Sequence, residues 1–414
     1  MRLIHIADVH LDSAFAARRG EARRRLREAT LDAFRRCVEL AVAERVDALL
    51  IAGDLFDGQR LSFATELRLL AEMRRLETEG IQVVYAAGNH DPGCAAAGRA
   101  LAWPRNVTVA EGDEPVVVAV AGRSGRTVGH VAAIGHADAS VTDDLSRRLA
   151  PVAGTDLPQA ALLHTQVRSS VGSAGHHPYA PSAMERLRGA GFDYWALGHV
   201  HQREELSADP PIHYPGSLQG RGGRETGPRG ALLVDLSVRG QPTVEFRELS
   251  PIRWEPLESP DLASAGTVEE LAADLERAWR RARAEDRGGA DTEWMAAITL
   301  AGASPLWREL ADPDEREALA DEVARRIGAL GCEIDARGVH PPAFVEDHAG
   351  RQDVLGGALE LAGRVRVGQE RLGIAEGELA GFDRSRGGTV DEYVGRLLEG
   401  AEEELLVRML VSGR

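Results

Sequence analysis

The chain has 414 residues, of which 43% are apolar and 28% charged, and its net charge is −16 at pH 7. This length predicts two or three domains with sizeable cores, and the acidic surplus excludes a surface coated in positive charge for gripping nucleic acid, while leaving room for a local basic groove. No run of about 18 apolar residues occurs, so no membrane-spanning helix is expected.

The start of the chain and its cysteines are used to predict the cellular compartment. A strand-like run begins almost at once, and no charged-then-apolar export segment stands before it. The three cysteines, Cys37, Cys94 and Cys332, lie far apart and match neither a metal pattern nor a disulfide pattern. We therefore expect a cytoplasmic protein with reduced thiols.

Short apolar strands alternate with amphipathic helices in the first half, which is typical of an α/β domain. In chain order the predicted elements are a strand at 3–7, a helix at 21–45, a strand at 48–52, a helix at 63–79, a strand at 83–87, a hairpin of 116–120 and 128–134, and strands at 160–163 and 194–197. Helical periodicity in the second helix predicts an inward face of Phe63, Leu67, Leu70 and Met73. Residues 212–249 are predicted to form glycine-rich loops and short strands.

Ser-Pro steps near 250–260 indicate a domain boundary. We predict a first domain at 1–255, a small α/β accessory domain at 256–345 and a helical region at 346–414. The second domain is expected to contain helices at 267–284 and 313–330, a strand at 295–301 and a linker at 339–342. The last helix is predicted to begin at the capping box Thr389-Val390-Asp391-Glu392 and to carry an apolar stripe up to Met409.

Five segments share one pattern, an apolar strand that ends in residue types able to bind metal. They are Asp8-Val9-His10, Gly53-Asp54-Leu55-Phe56-Asp57, Gly88-Asn89-His90-Asp91, His164 and Gly198-His199-Val200-His201. Strand ends of an open α/β sheet converge on one crevice, and side chains two residues apart point the same way. Asp, His and Asn without thiolate suit Mn²⁺, Fe²⁺, Zn²⁺ or Co²⁺. The glycines before the ligands predict tight turns and close backbone approach.

The set D-x-H, G-D-x-x-D, G-N-H-D, H and G-H-x-H resembles the calcineurin-like metallophosphoesterase superfamily. Residues 193–201, the stretch Tyr214-Pro215-Gly216-Ser217 with its continuation to Arg221, and residues 223–230 are similar to the DNA repair exonuclease branch that includes SbcD and YhaO-type proteins. The motif match covers residues 1–250. It implies an α/β fold with a metallophosphoesterase-type β-sandwich flanked by helices, followed by a small α/β cap and a helical tail.

The resemblance also implies roles for the site residues. Asp8, His10 and His201 would hold one metal ion, Asn89, His164 and His199 the other, and Asp54 would bridge them; Mn²⁺ is the ion we expect. A bridging carboxylate offsets the repulsion between two such ions. His90 is implied as the general acid. Asp57 stands where many family members carry His, and it either pairs with His90 and raises its pKa or orients a metal ligand.

Two arginine clusters are candidate phosphate contacts, since both follow ligand-bearing strands. One includes Arg18 and Arg19, and the other includes Arg221 and Arg224. Such contacts would position a DNA backbone without reading its sequence; the alternatives are a solvated helix face and a loop packed on the domain. The resemblance further implies a partner ATPase of the SMC coiled-coil type (SbcC/YhaN-like) and a homodimer.

The most specific prediction is a metal-dependent phosphodiester hydrolase, a DNA exonuclease that acts in DNA repair and also has endonuclease activity. A small-molecule phosphodiesterase or protein phosphatase on the same site is an alternative, because fold and metal site do not choose between substrates. A weakly active regulatory subunit of an ATPase complex is a third interpretation, against which the intact ligand set argues.

Overall fold

The chain forms two compact units that are each discontinuous in sequence. The first unit contains Met1–Pro256, Arg287–Ala297 and Ala329–Gly331, and the second contains Leu257–Asp286, Ile298–Gly328 and Cys332–Arg414. The computed structural model describes residues 1–15, 20–58, 61–92, 101–112, 114–167, 170, 179–236, 242–285, 289, 291–342, 348, 350–370, 373, 405–406 and 408–409.

Two six-stranded sheets form the first unit. Their strands are β1 (Arg2–Ile6), β2 (Ala48–Ala52), β3 (Gln82–Ala86), β4 (Val107–Ala110), β5 (Val116–Ala121), β6 (Thr127–Ile134), β7 (Gln159–His164), β8 (Tyr194–Gly198), β9 (Glu204–Ala208), β10 (Pro211–Tyr214), β11 (Gly230–Asp235) and β12 (Thr243–Glu248). The helices are α1 (Gly20–Ala43), α2 (Phe63–Thr78) and α3 (Met184–Gly189).

Strand order decides where the polar strand ends meet. The first sheet has the order β12-β11-β1-β2-β3-β4 and the second β5-β6-β7-β8-β10-β9. Strands β1 to β4 are parallel neighbours, and so are β6, β7 and β8. Because parallel neighbours end at the same edge of a sheet, the residues that follow β1, β2 and β3 lie side by side, as do those that follow β7 and β8.

Side-chain alternation divides the central strands between two cores. In β1 and β2, Ile4 and Ile51 pack with residues of α1 and α2 such as Phe34. The opposite faces of the same strands contribute to a core that also contains Ala160 and Ala196 of the second sheet. The two sheets therefore pack face to face as a sandwich, and the expected helix-flanked α/β fold is confirmed.

The described part of the second unit contains helices and parts of the strands of a third sheet. That sheet has the order β13-β14-β15, comprising Ile252–Glu258, Glu293–Ala303 and Gly331–His340, and the helices are α4 (Val268–Glu285), α5 (Trp307–Ala311), α6 (Pro313–Ile327) and α7 (Val354–Arg366). Asp312 precedes helix α6, and its carboxylate caps two backbone amides of the first turn. Gly328 follows the helix in the left-handed conformation. Arg326 of α6 pairs with Glu269 of α4 at 2.6 Å.

Several details depart from the sequence-based expectations. Strands β4, β9, β13 and β15 were not predicted, and the linker expected at 339–342 is wrong in part because Val339 and His340 end β15. In α2, the predicted inward residues Leu70 and Met73 are buried, but Phe63 and Leu67 are 74% and 67% exposed. The inward face is rotated and includes Leu69 and Leu76 instead. Within the described part of the chain, no helix has the length and apolarity needed to cross a membrane.

Other expectations fall on residues outside the described ranges. These are Arg18, Arg19, Cys94 and the capping box at 389–392. Near the end of the predicted apolar stripe, Leu405, Leu406 and Met409 pack with Leu355 and Leu359 of α7. This end of the stripe is therefore covered within the protein itself.

Candidate metal centre

The five predicted segments occupy the carboxyl ends of five strands. Asp8 follows β1, Asp54 follows β2 and Asn89 follows β3, while His164 ends β7 and His199 follows β8. The side chains of Asp8, Asp54 and His164 are almost fully buried. Buried carboxylates are costly unless they are hydrogen-bonded, paired or bound to a metal, so this arrangement needs a compensating partner.

Backbone strain is concentrated at the same place. Asp8, His10, Asp54 and His199 all have positive φ, with values of 51°, 51°, 52° and 105°. A non-glycine residue rarely adopts this conformation, which costs about 1–3 kcal/mol and persists where the surroundings enforce it. The strained turns aim the four side chains away from the sheet edges and toward one another.

Two glycines permit the close approach of neighbouring loops, as the sequence predicted. Gly53 has a φ of 85°, and a Cβ atom there would lie 2.2 Å from Nδ1 of His164. A Cβ atom on Gly88 would lie 2.3 Å from Oδ1 of Asp54. Both distances are shorter than real Cβ contacts, so only glycine leaves room for these two side chains.

The first group of candidate ligands consists of Asp8, His10 and His201, whose ligand atoms lie within 4.8 Å of one another. The Nε2 atoms of His10 and His201 are 3.3 Å apart. Nδ1 of His201 lies 3.0 Å from Glu225, so this nitrogen carries the proton that faces the carboxylate. Nδ1 of His10 lies 3.6 Å from Asp57, beyond hydrogen-bond distance. A cation between the two Nε2 atoms would bind both rings.

The second group surrounds Asn89. Its Oδ1 atom lies 2.9 Å from Nε2 of His164 and 3.1 Å from Nδ1 of His199. Nδ1 of His164 is 2.8 Å from the carbonyl oxygen of Ala52 and must donate to it, which leaves Nε2 as a lone pair. This lone pair therefore faces the Asn89 oxygen, again an arrangement that suits a bound cation.

Asp54 lies between the two groups. Its Oδ2 atom is 3.8 Å from Nε2 of His10 and 3.5 Å from Nε2 of His164, and its ligand atoms also group with those of Asp8 and His164 within 4.8 Å. The residues present thus fit two neighbouring divalent ions with nitrogen and oxygen ligands. All seven predicted ligands belong to this one connected cluster.

The titration of the cluster follows from its burial. Burial raises the pKa of Asp8 to about 7, against the lowering influence of His201. Burial lowers the pKa of His10 and of His164 to about 4. Both imidazoles are therefore neutral near pH 7, which is the form that binds metal.

Asp57 and His90 form the pair that the sequence suggested. Nδ1 of His90 lies 3.0 Å from Oδ1 of Asp57, and the His90 ring stands 4.8 Å from that of His10. The hydrogen bond with Asp57 raises the pKa of His90 despite partial burial. Ser13 donates to the other Asp57 oxygen at 2.7 Å, so the carboxylate is held between His90, His10 and Ser13.

Of the described candidate arginines, Arg221 is the one placed at the cluster. Its guanidinium nitrogens lie 3.3 Å from Nδ1 of His201 and 3.9 Å from Oδ2 of Asp57. Arg224 is exposed on the same loop. Arg229 is buried and donates to the carbonyl oxygen of His201, so it has a structural role.

Sequence reasoning missed Glu225 and His136, which both contact predicted ligands. Glu225 pairs with His201 as described above. His136 follows β6, is fully buried, and its Nε2 atom lies 2.7 Å from the carbonyl oxygen of His164. The signal available was Ile134-Gly135-His136, the same strand-glycine-histidine order as at His199.

His213, unassigned from sequence, is buried and stacks on Tyr194 at 5.9 Å between ring centroids.

Comparison with known proteins agrees with the fold and the cluster. The sequence profile of calcineurin-like phosphoesterases matches residues 1–203. The chain is 31% identical over 312 residues to the uncharacterized metallophosphoesterase YhaO of Bacillus subtilis, covering 74% of this chain and 73% of that protein. It is 24% identical over 247 residues to the DNA double-strand break repair protein Mre11 of Sulfolobus acidocaldarius, covering 57% and 61% of the two chains. It is 38% identical over 99 residues to a subunit of the SbcCD nuclease of Rhodobacter capsulatus, covering 22% of each.

The fold and site define a metal-dependent phosphoester hydrolase. The chain belongs to the calcineurin-like phosphoesterase family, and the resemblance found in the sequence is confirmed. This family uses a dinuclear metal site, and the present chain brings together His and Asp groups that could hold one.

Proposed function

We propose that the chain is a Mn²⁺-dependent DNA exonuclease, with endonuclease activity at the same site, that acts in DNA repair beside an SMC-type coiled-coil ATPase (SbcC/YhaN-like). The observation that supports a phosphate-bearing substrate is Arg221, whose guanidinium lies 3.3 Å from the His201 ring at the ligand cluster. An arginine there offers a phosphate oxygen a charge-assisted hydrogen bond. Similarity to proteins named as a nuclease and as repair proteins supports DNA as that substrate.

The proposed division of ligands follows the two groups. Asp8, His10 and His201 hold one ion, Asn89, His164 and His199 hold the other, and Asp54 bridges them. The bridging role of Asp54 is supported by its Oδ2 atom, which lies within 3.8 Å of a ring nitrogen in each group. Bound ions supply Lewis-acid polarisation of the phosphoryl oxygen and activation of a water molecule.

The remaining steps use side chains of this chain. Asp57 holds Nδ1 of His90, which leaves Nε2 of that ring to carry a proton toward the oxygen that leaves the phosphorus. An alkoxide is a poor leaving group, so protonation by an imidazolium lowers the barrier. Arg221 binds a non-bridging phosphate oxygen and orients the diester.

The other regions have proposed roles as well. Residues 256–345 act as the accessory or cap domain that shapes access to the site, and residues 346–414 form a helical partner-binding region. The protein works in the cytoplasm, where thiols stay reduced, and it pairs as a homodimer. These proposals are tested by co-purification with the ATPase and by the mass of the protein in solution.

The experiment that tests the proposed function is a substrate panel with the full chain and Mn²⁺. The panel contains linear and circular DNA, bis-nitrophenyl phosphate, a cyclic nucleotide and a phosphopeptide, with Asp54→Asn as the inactive control. We expect nucleotides released from DNA ends, with slower cutting of circular DNA. Hydrolysis of the cyclic nucleotide or phosphopeptide with intact DNA would overturn the nuclease in favour of a small-molecule phosphodiesterase or protein phosphatase.

The same panel run with the co-purified ATPase separates the regulatory alternative. A catalytic subunit gains DNA cleavage when the ATPase and ATP are added, and Asp54→Asn abolishes that gain. If the complex cleaves DNA equally well with the variant, the chain serves as a regulatory subunit and the proposed activity is wrong.

A further inference from the structure

One half-buried carboxylate, Glu225, connects a candidate metal ligand to the arginine beside it. Its Oε1 atom lies 3.0 Å from Nδ1 of His201. Its Oε2 atom accepts from the hydroxyl of Ser217 at 2.8 Å and from the backbone N–H of Arg221 at 3.1 Å. Only 14% of the Glu225 side chain is exposed, so both oxygens are committed to these partners.

The partners of Nδ1 determine which nitrogen of His201 is protonated. Glu225 can only accept when ionised, and Arg221, whose guanidinium lies 3.3 Å away, can only donate. A bare Nδ1 would direct its lone pair at a carboxylate 3.0 Å away, which is repulsive. The proton therefore stays on Nδ1, and Nε2 presents its lone pair toward His10 and Asp8.

The loop that carries Glu225 also holds the backbone of His201. The Ser217 amide donates to the His201 carbonyl oxygen at 3.0 Å, and the Arg229 guanidinium donates to the same oxygen. Ser217 additionally bridges to Ala7, next to Asp8 in the chain. Side chain and backbone of His201 are thus both oriented by residues 217–229.

We propose that Glu225 is a positioning residue that holds His201 in the Nδ1–H tautomer and ties Arg221 to the same carboxylate. One side chain then sets both a metal ligand and the phosphate-facing arginine beside it. The proposal rests on the two-metal site of the proposed function. A carboxylate on the outer nitrogen of a ligating histidine also makes the inner nitrogen a stronger ligand, and loss of such partners typically lowers metal affinity about 10–100-fold.

The test is a Mn²⁺ titration of the full chain, by calorimetry and by electron paramagnetic resonance of free Mn²⁺. Wild type is expected to bind two ions. Glu225→Ala should weaken one of them about 10–100-fold and leave the other within about threefold. Glu225→Gln keeps an oxygen that can accept from Nδ1. Its affinity for the weakened ion should lie between those of wild type and Glu225→Ala. Glu245→Gln on the edge strand β12 removes the same charge elsewhere and should match wild type.

A spectroscopic measurement separates positioning from general stability. Nitrogen NMR of ¹⁵N-histidine protein, free of metal and at alkaline pH where the ring is neutral, should place the His201 proton on Nδ1 in wild type and show a tautomer mixture in Glu225→Gln, which is nearly isosteric and expected to fold. The proposal is overturned if Glu225→Ala binds both ions as tightly as wild type, or if both affinities fall equally. A wild-type chain that binds no Mn²⁺ would instead remove the two-metal function itself.

Discussion

At the scale of single side chains, the pair of Asp57 and His90 makes the sharpest catalytic prediction. His90→Ala should retain both Mn²⁺ ions, because the proposed ligands do not include this ring, although it groups with His10 and Asp57 within 4.8 Å. DNA hydrolysis should fall about 10²–10⁴-fold, the usual contribution of a general acid. Rates on DNA and on bis-nitrophenyl phosphate, measured at saturating Mn²⁺, check this prediction.

The two substrates provide the control within that experiment. Nitrophenolate leaves without protonation, so the variant should lose much less activity on bis-nitrophenyl phosphate than on DNA. Equal losses on both substrates would assign His90 a purely structural role. Full activity on DNA would remove the acid role altogether.

His5 predicts how stability depends on pH. Burial lowers its pKa from 6.5 to about 3, helped by the charge of His213 and opposed by a hydrogen bond to Leu197. The unfolded chain therefore binds this proton at higher pH than the folded chain. The contribution of neutral His5 is complete above pH 6.5 and is lost as the pH falls from 6.5 toward 3, at up to about 1.4 kcal/mol per pH unit.

Replacing His5 should make the stability of the protein depend less steeply on pH. His5→Gln should cost about 1–3 kcal/mol at pH 7.5 through its hydrogen bonds to Tyr194 and Leu197, yet its stability should fall less steeply toward pH 4.5. Urea denaturation of both proteins across this range measures the two slopes. Parallel curves for wild type and variant would contradict the assignment.

At the scale of elements, Asp91 joins the loops that follow β2 and β3. Its buried carboxylate accepts from the amides of Asp54 at 3.2 Å, Phe56 at 3.1 Å and Gly88 at 2.7 Å, and from the hydroxyl of Tyr85 at 2.5 Å. Asp91→Ala leaves these donors without their acceptor and should cost about 3 kcal/mol or more. Thermal and urea unfolding measure the loss.

The same substitution should loosen the metal centre, since Asp54 and Asn89 follow the two joined strands. Asp91→Asn preserves shape and one acceptor oxygen, so it should lie between wild type and alanine in both stability and Mn²⁺ affinity. Unchanged Mn²⁺ binding in a destabilised Asp91→Ala protein would show that the two loops hold their ligands independently.

The loop after β10 is predicted to bind the phosphates of DNA. Each arginine that binds a phosphate releases counterions, so the slope of log affinity against log salt should become shallower by about 1 for each such arginine that is replaced. Changing Arg221 and Arg224 to Gln therefore lowers the slope by up to about 2. Fluorescence anisotropy with a DNA duplex at several salt concentrations measures it, using Asp54→Asn protein to prevent cleavage.

Arg123→Gln is the matched control for charge. Arg123 is exposed in the turn between β5 and β6, at the edge of the sheet opposite the carboxyl ends that carry the ligands. Its replacement should leave the slope unchanged. An unchanged slope in the Arg221 and Arg224 variant as well would eliminate that loop as a phosphate-binding segment.

At the scale of the whole molecule, the metal centre is a source of instability without metal. Asp8 and Asp54 are at most 1% exposed, and four ligands have a positive φ. Ions that bind the folded chain alone add about 2.7 kcal/mol per site at a free concentration of 100 times Kd. Mn²⁺ should therefore raise the melting temperature, and chelation should lower it.

The variant Asp54→Asn tests where that stability comes from. It keeps an oxygen that can accept from the His90 amide but removes the shared charge, so its stabilisation by Mn²⁺ should be much smaller than that of wild type. Calorimetry with and without chelator gives the comparison. A variant that Mn²⁺ stabilises as strongly as wild type would exclude Asp54 as a shared ligand.

Local sequence patterns predicted part of this structure. Apolar runs of strand length, glycines before polar residues and amphipathic helix periods are local properties of a chain, so the α/β class and the five metal-binding segments could be predicted from them. The resemblance to the family selected the seven candidate ligands within these segments. The clustering of Asp54 with His164, from the two different sheets, agrees with that expectation. The metal roles of the seven residues stay a prediction until ions are bound.

Tertiary contacts decided the rest, because burial and pairing depend on residues far away in the chain. Phe63 and Leu67 have an apolar, helical pattern, but the core of the first sheet selects a rotated face of α2 that keeps Leu70 and Met73. Strands β4 and β9 are only four and five residues long, and pairing with β3 and β10 determines them. The sequence by itself determined which residues could bind metal; only the fold brought Glu225 to His201, since a hydrogen bond across 24 residues has no local signature.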